Sequence, residues 1–445
     1  MAEETVVPSA PAGDRRQLVR AIVASAVGTS IEWYDFFLYG FAASTIFAKL
    51  YFPGADPSTG LLLSLATYFG GFAARPIGAA IFGHYGDRIG RKATLIVTLL
   101  SMGVATALVG LVPTYDQIGI WGGILLTVLR LLQGIAVGGE WGGSVLLSTE
   151  WGDRRGGRRG LLGSWAQFGV PVGLVLGYTA LKLFQPIDDY WGWRIPFLLS
   201  IVLVAVGLYI RLGITETPVF AKVVEENRVE RIPVREVIVR NWREIVLSAL
   251  LRTGQQAPFY IFTVYVLTYT TKTLGFKSGD IYTYVIIGAL VSMVTVPFWG
   301  YVSDRVGRKK VYVAGAVAML LWSYPYWALL DTKSTGLVVL AIVLAWPIHD
   351  MQYGPQAAFI AESFTGRLRY SGASLGYQLA SLTAGGPAPL IAVWLFNTFK
   401  SSSAIAAYMA LCALVSLVSA LVLKERSQQD YGVEYDDVAP ATAPA

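Results

Sequence analysis

Apolar stretches of about 20 residues recur along nearly the whole of this sequence, and no other feature constrains its fold as much. Each is long enough to cross a hydrocarbon core of roughly 30 Å as a helix. Twelve are expected, at residues 18–49, 60–82, 93–112, 119–149, 162–184, 194–212, 243–274, 281–300, 311–330, 336–360, 371–399 and 403–423. With 54% of its 445 residues hydrophobic and 14% charged, the chain does not fit a string of soluble domains. The expected class is an all-α integral membrane protein in contact with a lipid bilayer.

The net charge of +6 would suggest a nucleic-acid partner only if the basic residues formed a soluble patch. They instead follow the spans. If the N-terminus starts in the cytoplasm, 25 of the 35 Lys and Arg fall on that side and seven on the other: Lys49, Lys182, Arg194, Lys272, Lys277, Lys333 and Lys400. The positive-inside rule then puts both termini in the cytoplasm of a multi-pass protein of the cell membrane, with no nucleic-acid partner. The first 14 residues lack the apolar core of a cleaved signal peptide, so the first helix is expected to act as the insertion signal. The single Cys412, within an apolar span, excludes an internal disulfide and a multi-thiolate metal site.

Two loops match. Residues 83–92 read GHYGDRIGRK and residues 300–309 read GYVSDRVGRK, which places Asp87 and Asp304 217 positions apart. A weaker echo joins EWGDRRGGRRG, from Glu150, to ESFTGRLRYSG, from Glu362. A repeat of half the chain length implies two six-helix bundles in parallel arrangement with a binding site between them. The expected organisation is a tail (1–17), a first bundle (18–212), a charged cytoplasmic linker (213–242), a second bundle (243–423) and a disordered acidic tail (424–445). In the loops, Gly83 and Gly90 permit tight turns. An Asp at a helix end can pair with an Arg or with a helix N-terminus in the other bundle. Asp87, Arg88, Arg91, Asp304 and Arg305 are therefore expected to form conformational latches.

GHYGDRIGRK resembles the signature loop of the major facilitator superfamily. SIEWYDFFLYGF (30–41), RLLQGIAVGGEWGGS (130–144), GWRIPF (192–197) and YGPQAAFIAESF (353–364) resemble, more narrowly, its metabolite:proton symporter family. The resemblance covers residues 18 to about 423. It implies a twelve-helix transporter for a small metabolite such as shikimate, proline or betaine, 2-oxoglutarate or citrate, driven by protons. One departure is at Thr365, near which the family often has proline; this bears on loop geometry.

Charges within spans are costly, about 2.5 to 3.5 kcal/mol at a helix centre, and so point to function. Glu32 and Asp35, three apart on one face of the first helix, lie roughly 20 to 25 Å along it. Arg130 of the fourth helix lies near the same depth, with Gln133, Val137 and Glu140 following on its face. Asp35, with Glu32 as the other candidate, is expected to bind the coupling proton under the influence of Arg130, an arginine that the resemblance also associates with proton transfer. The competing reading is a static ion pair. In the second half, Arg252, Gln255, Gln256 and Phe259 share a face of the seventh helix, where a guanidinium suits a carboxylate. Tyr260, Gln356, Tyr377 and Gln378 are expected to add substrate contacts, with Gln133 from the first half; interhelical hydrogen bonding is the alternative for each. His349 is expected to pair with a carbonyl of another helix and not with adjacent Asp350. Arg75 is expected to snorkel to the interface, outside the substrate site.

No GxxxxGK[ST] loop, GxSxG elbow or His-rich metal spacing occurs, so neither an ATP motor, an enzyme, a metal nor a cofactor is expected. The expected function is proton-coupled uptake of a small polar metabolite, an organic acid such as shikimate or a di- or tricarboxylate, by a monomer working through alternating access. Proton-coupled efflux of an amphiphile and a transporter-like metabolite sensor remain as alternatives.

Overall fold

The computed structural model describes residues 12–152, 158–184, 190–225, 233–427 and 429. The leader reading for the first residues, the basic run at 153–157, part of the linker and nearly all of the acidic tail lie outside the described residues.

Among the described residues twelve long helices follow one another: α1 (Ala12–Thr45), α2 (Pro57–Ile89), α3 (Arg91–Leu111), α4 (Ile120–Gly152), α5 (Arg159–Phe184), α6 (Arg194–Leu212), α7 (Pro233–Tyr260), α8 (Ser278–Val306), α9 (Arg308–Asp331), α10 (Thr335–Ala361), α11 (Arg369–Phe399) and α12 (Ser402–Val422). The helix α7 begins ten residues before the expected span, breaks at Asn241 and continues past Tyr260 through two π-helical turns, Ile261–Tyr265 and Tyr269–Thr273. A third π turn, Ser381–Gly385, lies within α11. Among the described residues, nine helices are apolar and long enough to cross a membrane by length and composition. The other three, α1, α2 and α7, carry Glu32, Asp35, Arg75 and Arg252 in their middles.

Burial is inverted relative to a soluble bundle. Leu, Ile and Val on α4, α6, α8 and α12 face outward, whereas Gln133, Glu140, Arg252, Gln256 and Asp350 are buried. Lipid solvates the apolar surface, so the helices are held together by close packing and by polar contacts. In the first half α1 packs on α5, α2 on α4, and α3 on α4 and α6; in the second, α7 packs on α11 and α12, and α10 on α8 and α9. The halves meet where α5 contacts α8 and α10 and where α2 contacts α11.

Glycine makes the α2–α4 contact possible. A Cβ on Gly78 would collide with the Ile135 carbonyl oxygen, and one on Gly138 with that of Arg75. At the matching loops, Gly90 and Gly307 adopt φ of 110° and 109° and let the chain turn directly into α3 and α9. The centre of the molecule is aromatic. Tyr260 lies against Phe72 (ring centroids 5.1 Å apart), Phe36 (5.8 Å) and Trp33 (6.4 Å), joining second half to first.

Candidate functional site

Glu32, Asp35 and Phe36 project from one side of α1 into a small cavity completed by Gly71 and Arg75 of α2, Met102 of α3 and Arg130, Gln133, Gly134 and Val137 of α4. Its volume of about 10 Å³ admits one water and no metabolite. Asp35 and Arg130 are both buried but do not touch; two side chains link them. Arg130 Nη1 donates to Gln133 Oε1 (3.3 Å), Gln133 Nε2 donates to Thr106 Oγ1 (2.6 Å), and the Thr106 hydroxyl reaches Asp35 Oδ2 (2.7 Å). The same hydroxyl lies 2.9 Å from the Met102 carbonyl. A hydroxyl has a single proton, so it can donate to Asp35 or to Met102 but not to both. With Asp35 ionised the proton points at the carboxylate. With Asp35 protonated the carboxyl donates to Thr106, which turns its own proton to Met102. Both charge states fit without heavy-atom movement.

Arg130 is held among the rings of Tyr39 (4.3 Å), Phe36 (4.9 Å) and Tyr68 (5.1 Å). Arg75, expected at the interface, is 1% exposed and stands over Phe36 (4.7 Å) and Phe72 (5.0 Å), inside the cavity wall. Snorkelling fails here because those aromatic faces hold the guanidinium toward the protein centre. Glu140, expected on the Arg130 face, is committed elsewhere: it pairs with Arg211 of α6 and accepts from Thr98 (2.9 Å) and Ser144 (3.2 Å).

In the second half, Arg252 Nη1 donates to the Tyr377 carbonyl (2.7 Å) and to Ser381 Oγ (3.1 Å), and its guanidinium lies 3.1 Å from the centre of the Tyr377 ring. The opposite face of that ring stacks on Trp141 of α4, and Trp141 Nε1 donates to Gln167 (2.8 Å). Gln256 and Gln378 both meet Ser381. Gln356 donates to the Tyr312 hydroxyl of α9 (3.0 Å). His349 Nε2 lies 2.6 Å from the Gln255 amide of α7, and Nδ1 lies 2.8 Å from Asp350 Oδ1. Its interhelical partner is therefore an amide, and the adjacent carboxylate curls back to the ring while also accepting from Thr295 of α8.

On the face where α1 begins and α12 ends, Asp87 and Asp304 each cap a helix of the opposite half. Asp87 Oδ2 accepts from the Ser371 amide (3.0 Å) and hydroxyl (2.7 Å) in the first turn of α11, while Oδ1 pairs with Arg91 (3.2 Å). Asp304 accepts from the Gly160 and Leu161 amides of α5 (both 2.8 Å) and pairs with Arg308 (2.7 Å). The echoing carboxylates complete each group: Glu150 pairs with Arg91 (3.5 Å), and Glu362 with Arg308 (3.3 Å) and Arg159 (3.4 Å). Gly83 and Gly86 let α2 approach Ser371 and Tyr370. Arg88 meets His84 (3.4 Å) and Arg305 lies over Tyr301 (4.5 Å), so neither joins a latch. Two further carboxylates, outside both the matching loops and their echoes, take part: Glu216, after α6, accepts from the Lys92 amide (3.2 Å), and Glu425, after α12, from the Arg308 amide (2.6 Å).

The chain matches the profile of the Major Facilitator Superfamily over residues 25–385 and 259–435. It is 38% identical over 420 residues to the "Inner membrane metabolite transport protein YhjE" of Escherichia coli K12, covering 92% of this chain and 95% of that one. It is 39% identical over 418 residues to the "Shikimate transporter" of the same organism, covering 91% and 94%. Among solved structures, the proton:xylose symporter XylE bound to 6-bromo-6-deoxy-D-glucose superposes with a TM-score of 0.75 at 16% identity, covering 93% of this chain and 97% of that one.

Proposed function

The chain belongs to the major facilitator superfamily, a multi-pass membrane transporter of metabolites and not an enzyme, and we propose that it takes up a small organic acid together with protons. The observation that carries this reading is the Thr106 hydroxyl, which serves either charge state of Asp35 from one position. Proton coupling needs a buried carboxyl that is stable loaded and unloaded, and a rotating donor supplies that condition. Glu32, in the same cavity, is the other candidate for the coupling proton, and Arg130 acts on Asp35 through Gln133 and Thr106.

The first bundle (18–212) and the second (243–423) rock about the midplane, with substrate seated between α1 and α2 on one side and α7 and α11 on the other. Gln255, Gln256, Tyr260, Tyr377 and Gln378 orient its polar groups, and Arg252 joins them once α11 moves away. The charge asymmetry supports cytoplasmic termini, so the face closed by Asp87 and Asp304 is the cytoplasmic one. Opening it breaks both caps and the Trp141–Tyr377 stack, and only the fully loaded or fully empty protein reorients.

The test is uptake by vesicles containing the purified protein under an imposed inward proton gradient, with shikimate, 2-oxoglutarate, citrate and glycine betaine each supplied outside. Accumulation of at least one acid is expected. Loss of none of the four from the external medium would remove the symport reading. Asp35→Asn is expected to exchange substrate without accumulating it; undiminished accumulation by both Asp35→Asn and Glu32→Gln would remove the proton assignment.

A further inference from the structure

Four buried charges converge on the 10 Å³ cavity: Glu32 and Asp35 from α1, Arg75 from α2 and Arg130 from α4. Among the described residues no salt bridge joins any two of them. Each also has a buried polar atom without a hydrogen-bond partner: Glu32 Oε2, Asp35 Oδ1, Arg75 Nη1, and Nε and Nη2 of Arg130. A structural ion-pair cluster would satisfy these atoms among themselves, since an unpaired buried charge is costly. With both carboxylates ionised the group is instead neutral as a set, yet every member keeps at least one polar atom unpartnered beside the bonds that Asp35 and Arg130 make to Thr106 and Gln133, which suits a site that takes a charged ligand.

We infer that Arg75, together with Arg130, holds the carboxylate of a monoanionic substrate, and that each such substrate enters with one proton, so that the loaded protein reorients without moving net charge. The inference rests on the symport reading above and names the substrate class for its site. With both carboxylates ionised, the two guanidiniums and two carboxylates of the empty cavity sum to zero. One bound carboxylate adds one negative charge, and one proton taken by Glu32 or Asp35 cancels it. A second proton, or none, would leave a net charge within the membrane, where insertion of even one charge is resisted.

The rings around Arg75 connect this binding to the motion of the halves. Phe36 and Phe72 cover the guanidinium, and Tyr260 of the second half packs against the same two rings. A cavity that admits one water must enlarge to take a carboxylate. Withdrawal of Tyr260 frees Phe36 and Phe72 to do so, and Arg75 becomes accessible only when the halves separate on that side.

The experiment uses vesicles containing the full chain, with shikimate as the monoanion and glycine betaine as the zwitterion. A pH difference imposed at zero membrane potential is expected to accumulate shikimate by about tenfold per pH unit, and a membrane potential imposed without a pH difference is expected to accumulate none. Potential-driven shikimate accumulation overturns the inference and leaves proton symport standing. Accumulation of glycine betaine alone does the same. Failure of both compounds to accumulate under either gradient overturns this inference, and it removes the symport reading as well only where 2-oxoglutarate and citrate also fail to accumulate under the imposed proton gradient. Arg75→Gln is expected to raise the KM for shikimate at least tenfold and Arg75→Lys to recover part of the loss; an unchanged KM in Arg75→Gln overturns the inference. Should that variant not fold, the potential measurement on the unmodified protein decides by itself.

Discussion

Tyr377 of α11 lies flat on Trp141 of α4, ring centroids 3.6 Å apart and planes within 13°, so one aromatic stack crosses the boundary between the halves. Arg252 covers the far face of Tyr377, and Gln167 fixes the indole of Trp141. A stacked pair of this kind is worth about 0.5–1.5 kcal/mol beyond its buried area. Trp141→Ala is expected to shift the population toward the form open on the face bearing the termini. Ser374, buried beside Gly142 behind the stack, is a suitable reporter position. In a Cys412→Ser background, Ser374→Cys should react several-fold faster with a membrane-impermeant thiol reagent once Trp141→Ala is added. Unchanged reactivity would mean that the stack does not hold the halves together.

Thr106 offers a sharper separation of coupling from binding. Thr106→Val keeps the shape of the side chain but removes the donor to Asp35 and the acceptor for Gln133. Leaving such buried groups unpaired costs roughly 1–3 kcal/mol each. Proton-driven accumulation is expected to fall at least tenfold while substrate exchange, which requires no net proton release, is largely kept. Thr106→Ser, which retains the hydroxyl, should restore accumulation. Equal loss of exchange and accumulation would reduce Thr106 to a structural role.

Much of this arrangement was legible in the sequence because the bilayer allows few alternatives. Twenty apolar residues must be helical, and a carboxylate among them must be sheltered by protein, which is why Glu32, Asp35 and Arg130 could be placed at one depth from spacing alone. Partner choice was not legible. The path of Arg75 depends on Phe72, one turn before it on α2, and on Phe36, which meets it only after α1 and α2 are packed. Thr106 sits in an apolar run whose threonine has no distinguishing neighbour, so its place between Asp35 and Gln133 exists only in three dimensions. Glu140 shared the expected face with Arg130, yet the arginine it found, Arg211 of α6, lies 71 residues away in sequence. His349 shows the reverse error: side chains adjacent on a helix diverge at Cβ, but an aspartate is flexible enough to return to the ring.

The contact of α2 with α4 leaves no room for side chains where Gly78 meets the backbone of Ile135. Gly78→Ala forces the two helices apart, and overpacking of this kind costs about 1–3 kcal/mol. Because Arg75 and Arg130 lie on these same helices, the substitution is expected to lower the melting temperature and to weaken transport together. Gly60→Ala is the control, since a Cβ there meets nothing closer than 3.6 Å. A melt of Gly78→Ala indistinguishable from that of Gly60→Ala would show that the two helices tolerate separation.

The two Asp caps proposed as latches are equivalent in sequence but differ in geometry. Asp304 takes a backbone amide of α5 on each carboxylate oxygen, one of which also pairs with Arg308, whereas Asp87 takes the Ser371 amide and hydroxyl on one oxygen and gives the other to Arg91. Asparagine has a single acceptor oxygen, so Asp304→Asn must turn an amide donor toward a backbone N–H, and it also removes the negative charge from the helix N-terminus. Charge-assisted bonds of this kind contribute about 1.5–3 kcal/mol. Asp304→Asn is therefore expected to raise the reactivity of the Ser374→Cys reporter by roughly tenfold or more, and Asp87→Asn to raise it less, because Oδ1 of the asparagine side chain can still accept from Ser371. Glu425, which accepts from the amide of Arg308 directly beneath the Asp304 latch, should reinforce it. Combining Glu425→Gln with Asp304→Asn is expected to add little to Asp304→Asn alone, since Glu425 acts on the cap only through Arg308, the ion-pair partner of Asp304. Strict additivity of the two, or a larger effect from Asp87→Asn, would show that the latch on α5 is not the one that holds this face shut.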